Sequence, residues 1–217
     1  VSVPVTHSQV TQEDSVLELG AKVLGNTANA VLQLRNELQR EEIDKAIDLV
    51  GSASRVEIFA VGNYAAIAQD AQMKFLRLGL PCGAHTDPHM QQLVSNVMTE
   101  GTVALFISSS GNLPELLELQ QRVAERGARV IAITASQSPL ARKADAALVA
   151  EHNEHALTHL PMVSRVLHLL LVDILVTGVE MRRPGRERAA PPLVEQSPEL
   201  PGVQMASPLR PFISHRQ

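Results

Sequence analysis

The chain has 217 residues, enough for one domain with an appendage. Hydrophobic residues make up 45% of it, ample for a core, while aromatic residues are only 2%. So few rings argue against a surface that stacks nucleic-acid bases, and a formal net charge of −4 argues against a face that grips a phosphate backbone.

Cys82 is the single cysteine, which excludes an intrachain disulfide and fits a reducing, cytoplasmic setting. The opening Val1-Ser2-Val3-Pro4-Val5 lacks the basic-then-apolar pattern of a secretory leader. It does not begin with Met, so the chain reads as a piece or a trimmed product. The most apolar stretch, Val166 to Val179, is short for a bilayer and is interrupted by His168 and Asp173. It reads as a buried or interface helix, and no membrane partner is expected.

Residues 1–10 read as an extended, loose segment. From Val16 to Leu34 apolar residues recur at helical spacing, with Thr11 or Asp14 as the cap. A second helix is predicted over about 41–52, with Ile43, Ala46, Ile47 and Val50 inward. The pattern then changes. Val56–Val61 reads as a strand and Ala65–Leu78 as a helix. Val103–Ile107 reads as a strand and Leu113–Arg126 as a helix, with Gly127 placed to stop it. Val130–Ile133 is a further strand, Ser138–Lys143 a short helix and Ala147–Val149 a short strand. A long apolar helix follows over about 162–181. From Pro184 onward the chain holds more than half of its 13 prolines, and 184–217 reads as a disordered tail.

Near-continuous apolar strands alternating with helices predict an α/β fold with a parallel sheet covered on both faces. Ligands on such sheets bind beyond the carboxyl ends of the strands. Three loops follow from this. After Ile107 comes Ser108-Ser109-Ser110-Gly111-Asn112-Leu113-Pro114-Glu115. Asn112 is placed to cap the next helix with Glu115 completing a capping box, and Pro114 fits the first turn. Hydroxyls, free amides and the helix dipole then converge, and an anion such as a phosphate ester fits. The loop Gly62-Asn63-Tyr64 after the first strand is neither a G-x-G-x-x-G turn nor a P-loop. In the third loop Ser138 caps the short helix with Pro139 at its first position, and Thr134 and Ser136 are further candidates for lining a site.

Histidines cluster at His85-Thr86-Asp87-Pro88-His89, where Asp87 also reads as a helix start, and again at His152, His155 and His159. Neither spacing assures a metal site, and no metal or cofactor is expected. His168 reads as a core or interface histidine.

Together these stretches resemble a sugar isomerase (SIS) domain, and most of all that of RpiR-type transcriptional regulators of the HexR branch. The resemblance runs from about 11 to 183. It is carried by Ala68-Gln69-Asp70-Ala71-Gln72-Met73-Lys74-Phe75, Asp87-Pro88-His89, Ile107-Ser108-Ser109-Ser110-Gly111, Ser138-Pro139-Leu140-Ala141, Pro161-Met162-Val163-Ser164-Arg165 and Val176-Thr177-Gly178-Val179-Glu180-Met181-Arg182-Arg183. It implies a three-layer α/β/α sandwich over 11–183 that binds a sugar phosphate or phosphorylated sugar acid without turning it over. It implies a homodimer or higher homo-oligomer, consistent with the apolar helix 162–181. DNA would be reached only through a helix-turn-helix domain that this chain lacks ahead of residue 11.

Carried over, Ser108 and Ser110 bind the phosphate, with Ser109, Gly111 and Asn112 shaping the loop. Ser164 and Arg165 lie near the ligand or dimer face. The sequence departs from the family where Tyr64 replaces a serine and Leu113 a threonine. Each lost hydrogen bond to a charged group costs about 1.5–3 kcal/mol. Two alternatives follow: a ligand-free SIS dimerisation module, and an aldose–ketose isomerase with Glu115 or His89 as base.

Overall fold

The computed structural model describes residues 10–150 and 163–182. The segment 1–9, the histidines at 152, 155 and 159, and the proline-rich stretch from 184 lie outside the described residues.

α1 (Val16–Glu37) starts on a capping box. The Ser15 hydroxyl accepts from the Glu18 amide at 3.4 Å, and the Glu18 carboxylate accepts from the Ser15 amide at 2.9 Å. Thr11 and Asp14, the predicted caps, close their own turn instead, with the Asp14 carboxylate accepting from the Thr11 amide at 2.9 Å. There follow α2 (Arg40–Ser52), β1 (Arg55–Ala60), a 3-10 turn (Gly62–Tyr64), α3 (Ala65–Arg77), β2 (Cys82–His85), α4 (Pro88–Val97) and β3 (Thr102–Ser108). The remainder is α5 (Pro114–Glu125), β4 (Arg129–Thr134), α6 (Pro139–Arg142), β5 (Ala146–Val149) and α7 (Val163–Arg182).

The five strands form one parallel sheet in the order β2-β1-β3-β4-β5. Successive side chains of each strand enter opposite layers. Val56, Ile58, Leu105, Ile107, Ile131 and Ile133 pack under α1, α2, α3 and α7. Phe59, Ala104, Phe106, Val130 and Ala132 pack under α4, α5 and α6. The predicted α/β/α sandwich is thus the observed one. Phe59 and Phe106 stack at 5.0 Å between ring centres, and burying each such ring contributes about 1.5–3 kcal/mol. The apolar α7 faces this core through Leu167, Leu171, Val172, Leu175 and Val179, all buried. Its composition is therefore explained within one chain. Among the described residues, no helix is long and apolar enough to cross a membrane.

β2 is the element that the sequence pattern missed, and α4 was visible only as a helix start at Asp87. Cys-Gly-Ala-His has no β-branched residue. It is a strand because tertiary bonds hold it. It pairs with Val56–Phe59, and its carbonyls at Cys82 and His85 accept from Gln72 at 3.2 Å and Gln91 at 2.8 Å. A largely buried hydrogen bond adds to this: His85 Nε2 donates to the Glu57 carboxylate at 2.6 Å, and Arg55 also engages that carboxylate.

Burial alone would raise the pKa of Glu57, but the hydrogen bonds from His85 and Arg55 outweigh it and hold the carboxyl below its ordinary value. A carboxyl with a lowered folded-state pKa stabilises the fold above its unfolded value near 4.5, and that stability is lost as pH falls through the folded value. Glu57→Gln is therefore expected to cost about 1–3 kcal/mol at pH 7 in urea unfolding. The gap to the parent chain should shrink as the pH is lowered through 4; an equal gap at both values would contradict this account of the pair.

Candidate functional site

The strand order reverses between β1 and β3. The chain leaves β1 into α3 on one face of the sheet and leaves β3 into α5 on the other. Their connections diverge and open a crevice at the carboxyl edge. The register Ala60↔Ile107 and Ser108↔Thr134 brings the three predicted loops side by side there.

The serine loop is held by its neighbour. Ser109 accepts from the Ala135 amide at 3.0 Å, and Gly111 accepts from the Leu140 amide at 3.1 Å. Ser108 is buried, and its hydroxyl accepts from the Gly111 amide at 3.3 Å. Ser109 is half-buried; Ser110, Asn112 and Leu113 are exposed. The Ser110 hydroxyl accepts from the Asn112 amide at 3.4 Å. Gly111 is left-handed at φ +57°, and a Cβ there would overlap the hydroxyls of Thr134 and Ser138, themselves 3.3 Å apart and buried.

The capping box expected from Asn112 and Glu115 is not formed. The N-cap of α5 is Leu113, at φ −79° and ψ 119°, with no side-chain cap. Pro114 is the reason: its ring drives the residue before it out of helical conformation, so that residue becomes the cap. The same rule places Asp87 before Pro88, capping Met90 at 2.9 Å, and Ser138 before Pro139, capping Ala141 at 3.1 Å. With Leu113 as cap, no side chain caps the first turn of α5, whose leading amides include those of Glu115 and Leu116.

The β1 loop belongs to a second group. Gly62 and Asn63 are exposed, with Gly62 left-handed at φ +58°. Tyr64 turns to the start of α7. Its hydroxyl lies 3.2 Å from the hydroxyl of buried Ser164, and its ring meets His168 edge-on at 5.2 Å. His168 is fully buried and donates from Nδ1 to the Ser164 carbonyl at 2.6 Å, as a core histidine should. Arg165 is exposed on the first turn of α7.

Gln91, which the sequence did not single out, ties α4 to this edge through Ala60 at 3.0 Å and His85 at 2.8 Å. Its one signal was an amide one turn after the Asp87 cap. Among the described residues no group of three histidine, cysteine or acidic side chains converges on a metal position. An open depression of ≈810 Å³ lies at the opposite, amino edge, lined by Ser52, Gly101, Arg129, Lys143 and Asp145. The carboxyl ends of α2 and α5 meet it, where helix dipoles repel anions.

A doubly wound parallel sheet with a serine-rich helix start at its switch point defines the class. The chain belongs to the SIS domain family, whose model matches residues 50–178. It is 45% identical over 182 residues to the bifunctional protein Glk of Paraburkholderia xenovorans, covering 84% of this chain and 28% of that one. It is 33% identical over 185 residues to the HTH-type transcriptional regulator HexR of Escherichia coli, covering 85% and 64%. The chain thus spans under a third of the first relative and under two thirds of the second. The Vibrio vulnificus NanR protein, solved in complex with ManNAc-6P, shares the fold at a TM-score of 0.72 and 22% identity, over 80% of this chain and 65% of that one.

Gly111→Ala tests the loop's construction. Left-handed strain and overlap with Thr134 and Ser138 should together cost about 2–4 kcal/mol. Thermal unfolding reads this directly, and an unchanged melting temperature would show that the loop does not dock as described.

Proposed function

We propose that this chain is a sensor domain that binds a sugar phosphate or phosphorylated sugar acid in the crevice between β1 and β3. One observation carries the reading: half-buried Ser109 and exposed Ser110 lead into the 12-residue α5, whose first turn has no side-chain cap, at the switch point of the sheet. Ser109, Ser110 and the amides of Glu115 and Leu116 would hold the phosphate, with Ser108 and Gly111 fixing the loop around it. Gly62, Asn63 and Tyr64 border the sugar from the β1 side, and Ser164 and Arg165 from α7. The ManNAc-6P complex of NanR supports this ligand class, and kinship with the transcriptional regulator HexR supports a sensing role. The signal would act on DNA through a helix-turn-helix domain outside this chain, in the cytoplasm.

The reading is of binding without conversion. Isomerisation needs a base held against the sugar carbons. Glu115 and His89 are both exposed in first turns of their helices. A second reading, a SIS module without ligand, draws on two observations. The Tyr64 hydroxyl is engaged by Ser164, and the cap position of α5 carries the apolar Leu113.

Thermal-shift and calorimetric titration with a panel of sugar phosphates and phosphorylated sugar acids separates the three. Saturable stabilisation of about 2.7 kcal/mol at a hundred times Kd is expected, with no aldose–ketose exchange. Ser109→Ala with Ser110→Ala should weaken binding about tenfold or more. No shift in the folded chain, with binding gained by Tyr64→Ser plus Leu113→Thr, would favour the ligand-free module. Sustained turnover would establish an isomerase.

A further inference from the structure

α5 buries one polar side chain along its inner face. The inward positions are Leu116, Leu119, Gln120 and Val123, at the three- and four-residue steps of one helix face, and Gln120 is 1% exposed among them. Its Nε2 donates to the Leu140 carbonyl at 2.9 Å. Its Oε1 is buried and has no hydrogen-bond partner among the described residues. A buried amide oxygen left unpaired opposes folding, and a methionine or leucine would fill the same space without that cost. Stability therefore does not account for a glutamine at this position.

What Gln120 holds supplies the account. Leu140 is fully buried, and its backbone is bonded in two directions. The carbonyl accepts from Gln120, and the amide donates to the Gly111 carbonyl at 3.1 Å. Gly111 is the left-handed turn of the serine loop, and its own amide donates to the Ser108 hydroxyl at 3.3 Å. A closed circuit results. The serine loop leads into α5, the second turn of α5 holds α6, and α6 holds the loop. α6 has four residues, too few to form a helix unaided, so its place depends on what grips it.

We infer that Gln120 is a positioning residue of the serine loop: it fixes Leu140, and through Leu140 the turn at Gly111 that sets where Ser109 and Ser110 stand. What the loop binds rests on the phosphosugar reading; that Gln120 holds the loop does not.

Gln120→Met in the full chain tests this, because methionine keeps the volume and the helix preference and removes only the amide. Gln121→Met, on the exposed neighbour, is the control. In hydrogen exchange followed by NMR, the Leu140 and Gly111 amides of the Gln120 variant should exchange about tenfold faster or more, with the Val123 amide and the melting temperature little changed. Ser109 and Ser110 amide shifts are then followed during titration with inorganic phosphate, glucose 6-phosphate and 6-phosphogluconate. The midpoint should rise about tenfold in the Gln120 variant and stay put in the control. Unchanged exchange at Leu140 overturns the inference, as does an unchanged midpoint, or a variant that melts well below the parent chain and so shows a merely structural glutamine. A parent chain without saturable shifts would instead remove the phosphosugar reading, and the exchange rates alone would then decide for or against Gln120.

Discussion

All five strands run in one direction, and the order of the sheet reverses between the first and the third. Those two facts decide where the chemistry can be. Every strand delivers its last residue to the same edge, and between β1 and β3 the chain order switches direction, with the helices that follow them, α3 and α5, on opposite faces. The serine loop is then shaped by its neighbour on the far side. Gly111 can lie against Thr134 and Ser138 only without a Cβ, and the backbone bonds through Ser109 and Gly111 lock that seat. The loop is a docked structure that holds half-buried Ser109 and exposed Ser110 in place from behind.

Much of this was legible in the residues. The apolar runs Val103–Ile107 and Val130–Ile133 could only be central strands of a covered parallel sheet, and the serines after the first of them had to emerge at its carboxyl edge. β2 was not legible, because Cys-Gly-Ala-His has no strand preference of its own and is held by Glu57, Gln72 and Gln91 from elsewhere in the chain. The start of α5 was placed one residue early. Asn112 is the better capping residue by side chain, but the proline at 114 sets the backbone of the residue before it, and steric exclusion overrides a hydrogen-bond preference. Tyr64 departs from the family pattern. That its hydroxyl joins Ser164, a hundred residues on, could not be read from spacing.

The two long helices differ in where their apolar residues face. α7 is the most apolar segment and reads as a buried or interface helix; its leucines and valines fill the core beneath the sheet. α1 is less apolar on average, but half of its aliphatic residues are turned to solvent in a regular stripe. Where an apolar residue faces matters more than how many there are.

The central claim is that the mouth of the serine loop is an anion site for a phosphosugar. The most direct measurement is amide chemical-shift mapping of the isotope-labelled chain during titration with a phosphorylated sugar acid. The amides of Ser109, Ser110, Gly111, Glu115 and Leu116 should move first and furthest, saturating together. Shifts centred instead on Gly101, Gly127 and Lys143 at the amino edge, or no saturable shifts from any phosphosugar, would contradict it.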